Sequence, residues 1–239
     1  MGLARRRAPR HQARLSAVLR AQPLRSVAGR EARASAGAGG RITTRLGSVV
    51  VALGFAVFLA ACASRPAPPP TREWQRPCDD CIPGVANFTK VTDKLWRGTQ
   101  PAPDAFRQLA ERGVRTVINL RHDHDDFPEL EGADLDYLWL PMRAWNPETE
   151  DMVLFLSALR RAFADPKRWP VFVHCAEGKD RTGYAIASYR IIEQHWKADD
   201  AIHEMFDFHY NPLWFGNPAF LRRLEHDSAD VSARVRRAP

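Results

Sequence analysis

The run Val171-Phe172-Val173-His174-Cys175-Ala176-Glu177-Gly178-Lys179-Asp180-Arg181-Thr182-Gly183 constrains this chain more than any other stretch. Its apolar start reads as a short buried strand ending at His174, and Arg181 opens a helix. Five residues separate Cys175 from Arg181. A loop of that length, curling from a strand end into a helix start, turns successive N–H groups inward and makes an anion nest. The helix dipole adds partial positive charge at the same place. A thiol held over such a nest is expected to react as the thiolate, a competent nucleophile. Arg181 closes the loop and can grip two phosphate oxygens in a bidentate fork. Thr182 can donate its hydroxyl to the sulfur, and His174 can hold the loop from behind. Ala176, Glu177, Gly178 and Lys179 supply the cradle, with Gly178 for a permissive turn and Gly183 for close packing.

The flanking sequence alternates between strand and helix patterns. Strands are expected at Lys94–Gly98, Val114–Leu120, Leu135–Leu140 and Pro170–His174. Helices are expected over Pro103–Arg112, Thr149–Phe163, Arg181–His195, Asp199–Phe208 and Ala219–His226. Such alternation predicts an α/β fold, a mostly parallel sheet covered on both faces. Ligands bind at the carboxyl ends of strands in such sheets, often against a helix N-terminus, and residues 175–181 lie there. Asn119, Arg121 and Gln100 either line the rim of that site or brace it. The polar stretch Arg121–Asp134 holds His122-Asp123-His124-Asp125-Asp126. With no second ligand group at suitable spacing, that run reads as a mobile polar loop rather than a metal site.

Charge divides the chain unevenly. Residues 1–47 hold eleven Arg and one acidic residue, Glu31, a net of +10, which leaves the remainder at −3 against an overall +7. The basic character therefore belongs to the N-terminal extension. A mildly acidic domain does not suit nucleic acid, which needs a basic face. Residues 46–61 (LGSVVVALGFAVFLAA) are uncharged and nearly all apolar. Sixteen residues are short for a spanning helix, which needs roughly 20, and fit the h-region of a secretory signal. Small residues then precede Cys62, as at a bacterial lipoprotein processing site, and a Pro-rich stretch follows. The expected organisation is a disordered extension (1–45), an h-region (46–61), a tether (62–84), a globular domain (85–226) and a disordered tail (227–239). Cys62 is expected to carry lipid and to hold the domain outside the cytoplasmic membrane, in the periplasm; a plain N-terminal anchor is the alternative. In that oxidising compartment Cys78 and Cys81 suit a local disulfide better than a zinc site.

The string HC-x5-R-T-G resembles the signature of the protein tyrosine phosphatase superfamily, specifically its dual-specificity branch. Leu95-Trp96-Arg97-Gly98-Thr99-Gln100-Pro101, Thr116–Arg121 and Ala144–Asp151 resemble further segments of bacterial members, so the likeness spans about residues 85–226. It implies a three-layer α/β/α fold and hydrolysis of phosphate monoesters through a phosphocysteine, with no metal or other cofactor. The expected partner is a phosphorylated protein, inositol phosphate or lipid. Lys179 in the loop is similar to branch members that act on inositol phosphates or phosphoinositides. Many members carry a general-acid Asp just after the strand matching Leu135–Leu140, where this chain has Pro141-Met142-Arg143-Ala144. The proton donor is therefore expected at Asp180, a position similar to that used by myotubularin-type lipid phosphatases, with Glu150 or Asp151 as the alternative. A rhodanese-like sulfurtransferase and a non-catalytic phosphate-binding lipoprotein are the rival readings. His174 and Thr182-Gly183 disfavour the first, and the intact Cys175/Arg181 pair disfavours the second.

Overall fold

The computed structural model describes residues 74–238 together with a two-residue strand at Arg25–Ser26. The h-region at 46–61, Cys62 and the rest of the N-terminal extension lie outside the described residues.

Among the described residues six strands form one sheet: β1 (Arg25–Ser26), β2 (Thr89–Thr92), β3 (Leu95–Gly98), β4 (Thr116–Asn119), β5 (Asp136–Trp139) and β6 (Val171–His174), in the order β1-β5-β4-β6-β3-β2. The central four, β5, β4, β6 and β3, run parallel, while β1 and β2 pair antiparallel at the two edges. β3, β4 and β6 are buried along their whole length, as strands covered on both faces must be. Their side chains alternate between the two covering layers. Val117 and Phe172 join Phe106 and Leu109 of helix α1 (Pro103–Glu111), while Ile118, Val171 and Val173 face the other side. That side is covered by α2 (Thr149–Phe163), α3 (Asp180–Gln194), α4 (Ala198–Asp207), α5 (Gly216–His226) and α6 (Ser228–Arg237). The three-layer α/β/α architecture is as expected.

Register sets the position of the site. Gly98, Asn119 and His174 end their strands side by side. The segments that follow, carrying Gln100, Arg121 and Cys175, therefore emerge together at the carboxyl edge of the sheet.

Four expectations fail. The tail after residue 226 is not disordered: α6 packs Val231 and Val235 into the core, at 1% and 3% exposure. Two valines four residues apart make one buried stripe on an otherwise charged helix. The domain also begins before residue 85. Trp74 donates its indole N–H to Asp207 at 2.7 Å and stacks on Trp196, Cys78 is disulfide-bonded to Cys81, and Ile82 is buried. The tether thus ends near residue 73 instead of 84. Finally, the polar run at 122–126 is anchored at its end, because Asp126 is wholly buried. Residues 25–26 likewise extend the sheet from within the segment expected to be disordered, by pairing with Asp136 and Tyr137.

Candidate active site

Cys175 follows β6 directly, is 2% exposed, and is the free cysteine among the described residues. The loop behind it is tied down by its carbonyl groups. Ala176 accepts from the Gln100 backbone N–H at 3.2 Å. Gly178 accepts from Asn87 Nδ2 at 3.2 Å and from Arg97 Nη2 at 2.5 Å. In a trans peptide the C=O and the next N–H point opposite ways. Carbonyls turned back onto Gln100, Asn87 and Arg97 therefore turn the N–H groups of Glu177 and Lys179 toward the other side, which is the inward-facing cradle an anion requires. The loop enters α3 at Asp180, so the helix N-terminus adds its partial positive charge.

Glycine at 178 is a geometric necessity. Its φ is +64°, and a Cβ there would lie 2.5 Å from the carbonyl oxygen of Gly98. Gly183 allows the close approach of α3 and α4, since a Cβ would meet Met205 Cγ at 2.9 Å.

Arg97 and Asn87 stand behind the loop, and neither is recognisable from sequence as part of a site. Arg97 is 1% exposed and lies over the Phe208 ring at 3.8 Å. Burial pulls its guanidinium down to about 10, while the negative charges of Glu204 and Cys175 favour the charged form. It is still a cation at neutral pH, buried behind the anion cradle. A charged residue inside the apolar strand Leu95–Gly98 is the one sequence signal that could have marked it.

His174 is also fully buried, with Nε2 2.8 Å from Asp126 Oδ2. The Asp126 carboxylate in turn receives Gln100 Nε2 at 3.1 Å and faces His124 Nε2 at 3.3 Å. Glu129 lies 2.9 Å from the same His124 nitrogen. The His/Asp run thus supports the loop from behind, through His174. The ligand atoms of His124, Asp126 and Glu129 lie within 4.8 Å of one another. His124 Nε2 would itself be a ligand, so a metal there would have to replace the contacts that this nitrogen already makes with the two carboxylates. Asn119 and Arg121 are brace residues: Asn119 donates to the His124 carbonyl at 2.7 Å and accepts the Arg121 N–H at 2.8 Å.

The remaining expected site residues separate by environment. Lys179 pairs with Glu177 at 2.7 Å, and that hydrogen bond, with the Glu177 charge, raises its pKa. Arg181 opens α3 beside it, half-buried. Thr182 is fully buried in the first turn of α3, and its hydroxyl makes no hydrogen bond to Cys175 Sγ. Asp180 accepts the Asn211 backbone N–H at 3.0 Å and the Trp214 indole N–H at 3.2 Å, one on each oxygen. This is the geometry of a brace between the loop and the 211–214 turn. Glu150 is held by Arg234 of α6 at 2.5 Å. Asp151 is 7% exposed at the start of α2. Its charge and those of Cys175 and Arg181 all act on the buried phenol of Tyr184, whose pKa is raised by burial first and by Asp151 and Cys175 next. Asp151 therefore shares the electrostatic neighbourhood of the loop.

The family described as "DSP-PTPase phosphatase fused to NAD+ Kinase" matches residues 83–209. The dual specificity protein phosphatase TpbA of Pseudomonas aeruginosa (strain UCBPP-PA14) is 31% identical over 176 residues, 74% of this chain and 72% of the relative. The crystal structure of a Cys-to-Ser variant of P. aeruginosa TpbA in complex with phosphotyrosine superposes with a TM-score of 0.54 at 25% identity, covering 63% of this chain and 91% of that one. The inositol diphosphatase DSP3 of Arabidopsis thaliana is 25% identical over 130 residues, 52% of this chain and 63% of the relative.

Proposed function

Because this chain belongs to the dual-specificity phosphatase family, we propose that Cys175 carries out its hydrolysis of phosphate monoesters in two steps, with phosphotyrosine among the substrates. The observation that carries this reading is the loop from Cys175 to Arg181, its carbonyls turned back onto Gln100, Asn87 and Arg97. The inward N–H groups and the Arg181 fork hold the phosphoryl oxygens and stabilise the charge that builds on them. Cys175 Sγ attacks phosphorus, the P–O bond to the leaving group breaks, and the departing oxygen takes a proton from a carboxyl group. Water then attacks the phosphocysteine, the P–S bond breaks, and the same carboxylate removes the water's proton. Thr182, buried in the first turn of α3, supplies its hydroxyl to the leaving thiolate.

For the proton donor, the reading favours Asp151 over Asp180. Each Asp180 oxygen already accepts an N–H, a bracing arrangement. Asp151 is buried at the start of α2, and its charge and that of Cys175 both raise the pKa of the Tyr184 phenol, after burial itself. Phosphotyrosine is supported as a substrate by the complex of TpbA, and inositol phosphates by the named activity of the plant relative.

The same reading includes attachment outside the cytoplasmic membrane through lipid on Cys62, supported by the apolar run at 46–61 and the small residues before the cysteine. Labelled palmitate should enter the wild type and not Cys62→Ser. Among the described residues, no helix is long and apolar enough to cross a membrane.

Turnover of p-nitrophenyl phosphate and of a phosphotyrosine peptide tests the chemistry. Cys175→Ser should abolish both while phosphate-analogue binding survives, because a hydroxyl stays protonated where a thiol ionises. Retained turnover in that variant would overturn the mechanism. Thiosulfate sulfurtransfer faster than ester hydrolysis would favour the rhodanese alternative.

A further inference from the structure

Five large apolar side chains are exposed among the described residues, and the three most exposed are Trp145 at 58%, Leu213 at 74% and Phe215 at 85%. They belong to one surface. Leu213 and Phe215 flank Trp214 in sequence, and the Trp214 ring lies 5.9 Å from that of Trp145. The surface is built onto the active site. Trp214 donates its indole N–H to Asp180, the residue before Arg181. The segment carrying Trp145 is bolted to α3 and α5, where Tyr184 Oη donates to the Arg143 carbonyl at 3.0 Å and Asn217 Nδ2 to that of Ala144 at 2.8 Å. Hydrophobic residues on firmly held turns around a catalytic mouth call for a partner that covers them.

The path of the chain says which partner. Trp74, the first residue of the described domain, is fixed to Asp207, the last residue of α4. Only six positions later the chain reaches Leu213. Eleven residues join Cys62 to Trp74, a span of at most about 40 Å when fully extended. A chain anchored at Cys62 therefore keeps this aromatic end within a short reach of the bilayer. Trp, Phe and Leu are the residues that settle at a membrane–water interface, and the exposed Arg143 two positions before Trp145 suits anionic headgroups.

We infer that the surface formed by Trp145, Leu213, Trp214 and Phe215 docks into the bilayer interface and holds the mouth of the catalytic loop at the membrane surface. The inference rests on the proposed tether at Cys62 and adds a second, weaker contact made by the domain itself. Phosphate esters carried at the membrane are then presented to Cys175 without leaving it.

The test uses the full chain with vesicles of phosphatidylethanolamine and phosphatidylglycerol whose acyl chains carry bromine, which quenches nearby tryptophan. Wild-type emission should be quenched through Trp145 and Trp214. Leu213→Ser/Phe215→Ser should lose roughly half of that quenching or more, while its p-nitrophenyl phosphate turnover in solution stays at the wild-type value. Flotation of both chains with the vesicles reports the tether separately. If neither floats, the tether is refuted and the docking with it. If both float but are quenched equally, or not at all, the tether stands and the aromatic docking is overturned. Loss of a dimer in the double variant with unchanged quenching would also overturn it, by assigning the surface to a second copy of the chain.

Discussion

The residues of the loop divide into those that meet the phosphate and those that hold its backbone in shape. The proton donor tests that division. Asp151→Asn should slow alkyl phosphates, whose leaving groups are poor, by about 10²–10⁴-fold, and an activated aryl phosphate far less. It should also flatten the basic limb of the pH–rate profile, where the general acid loses its proton. Asp180→Asn should slow both substrates alike, as expected when a brace to Asn211 and Trp214 is lost. The opposite pattern would return the donor to Asp180. Gly178→Ala should be severe for a different reason, since the new methyl group must displace the carbonyl of Gly98. Turnover should fall at least tenfold, by the roughly 1–2 kcal/mol of a left-handed non-glycine conformation plus the clash. Near-normal kinetics in that variant would mean that the loop need not sit on the end of β3. Cys175, Arg181 and the glycines were legible because their spacing is local. Arg97 and Asp126 were not, because their importance depends on what the sheet register brings beside them. Asp126 sits in a run of His and Asp that looks solvated, and nothing nearby in sequence indicates that His174 will lie 2.8 Å away.

Among the elements, sequence periodicity located the four parallel strands and five of the helices, since each buries a continuous apolar face. The misses follow the same rule. β2 has half-exposed residues and lies at an edge, so its pattern is weak. α6 carries only two buried residues, Val231 and Val235, among charged ones. Yet α6 is structural: Ser157 of α2 donates to the Val235 carbonyl at 3.3 Å, and Arg234 pairs with Glu150. Val231→Ala/Val235→Ala should destabilise the protein by about 3 kcal/mol, the sum of two truncated buried valines. Urea unfolding would measure it, and a midpoint equal to wild type would show that α6 docks without adding stability. Because α6 also grips the first turn of α2, the same variant should loosen the segment that carries Asp151.

On the scale of the whole molecule, one buried ion pair joins three distant parts of the chain. Arg190 of α3 forks onto Glu204 of α4 at 2.9 and 2.7 Å, and Glu204 also accepts the Gln75 backbone N–H at 3.1 Å. Glu204→Gln leaves a buried guanidinium without its counter-charge and should cost about 3 kcal/mol. Thermal unfolding would report that loss, and proteolysis should cut first near residue 75 if Glu204 holds the entering chain. An unchanged melting temperature would count against the pair as a fastening point. A last consequence comes from strand order. β6 is the last of the strands in the chain, yet it lies at the centre of the sheet, between β3 and β4. During synthesis the earlier strands wait, with an empty central lane, for a segment that arrives more than fifty residues after β4. Long-range parallel pairing of this kind is slow and leaves unpaired edges open meanwhile. The strand that fills the lane is also the one that delivers Cys175. A chain in transit or cut short has no assembled catalytic loop, so the reactive sulfur gains its anion cradle only when the sheet is complete.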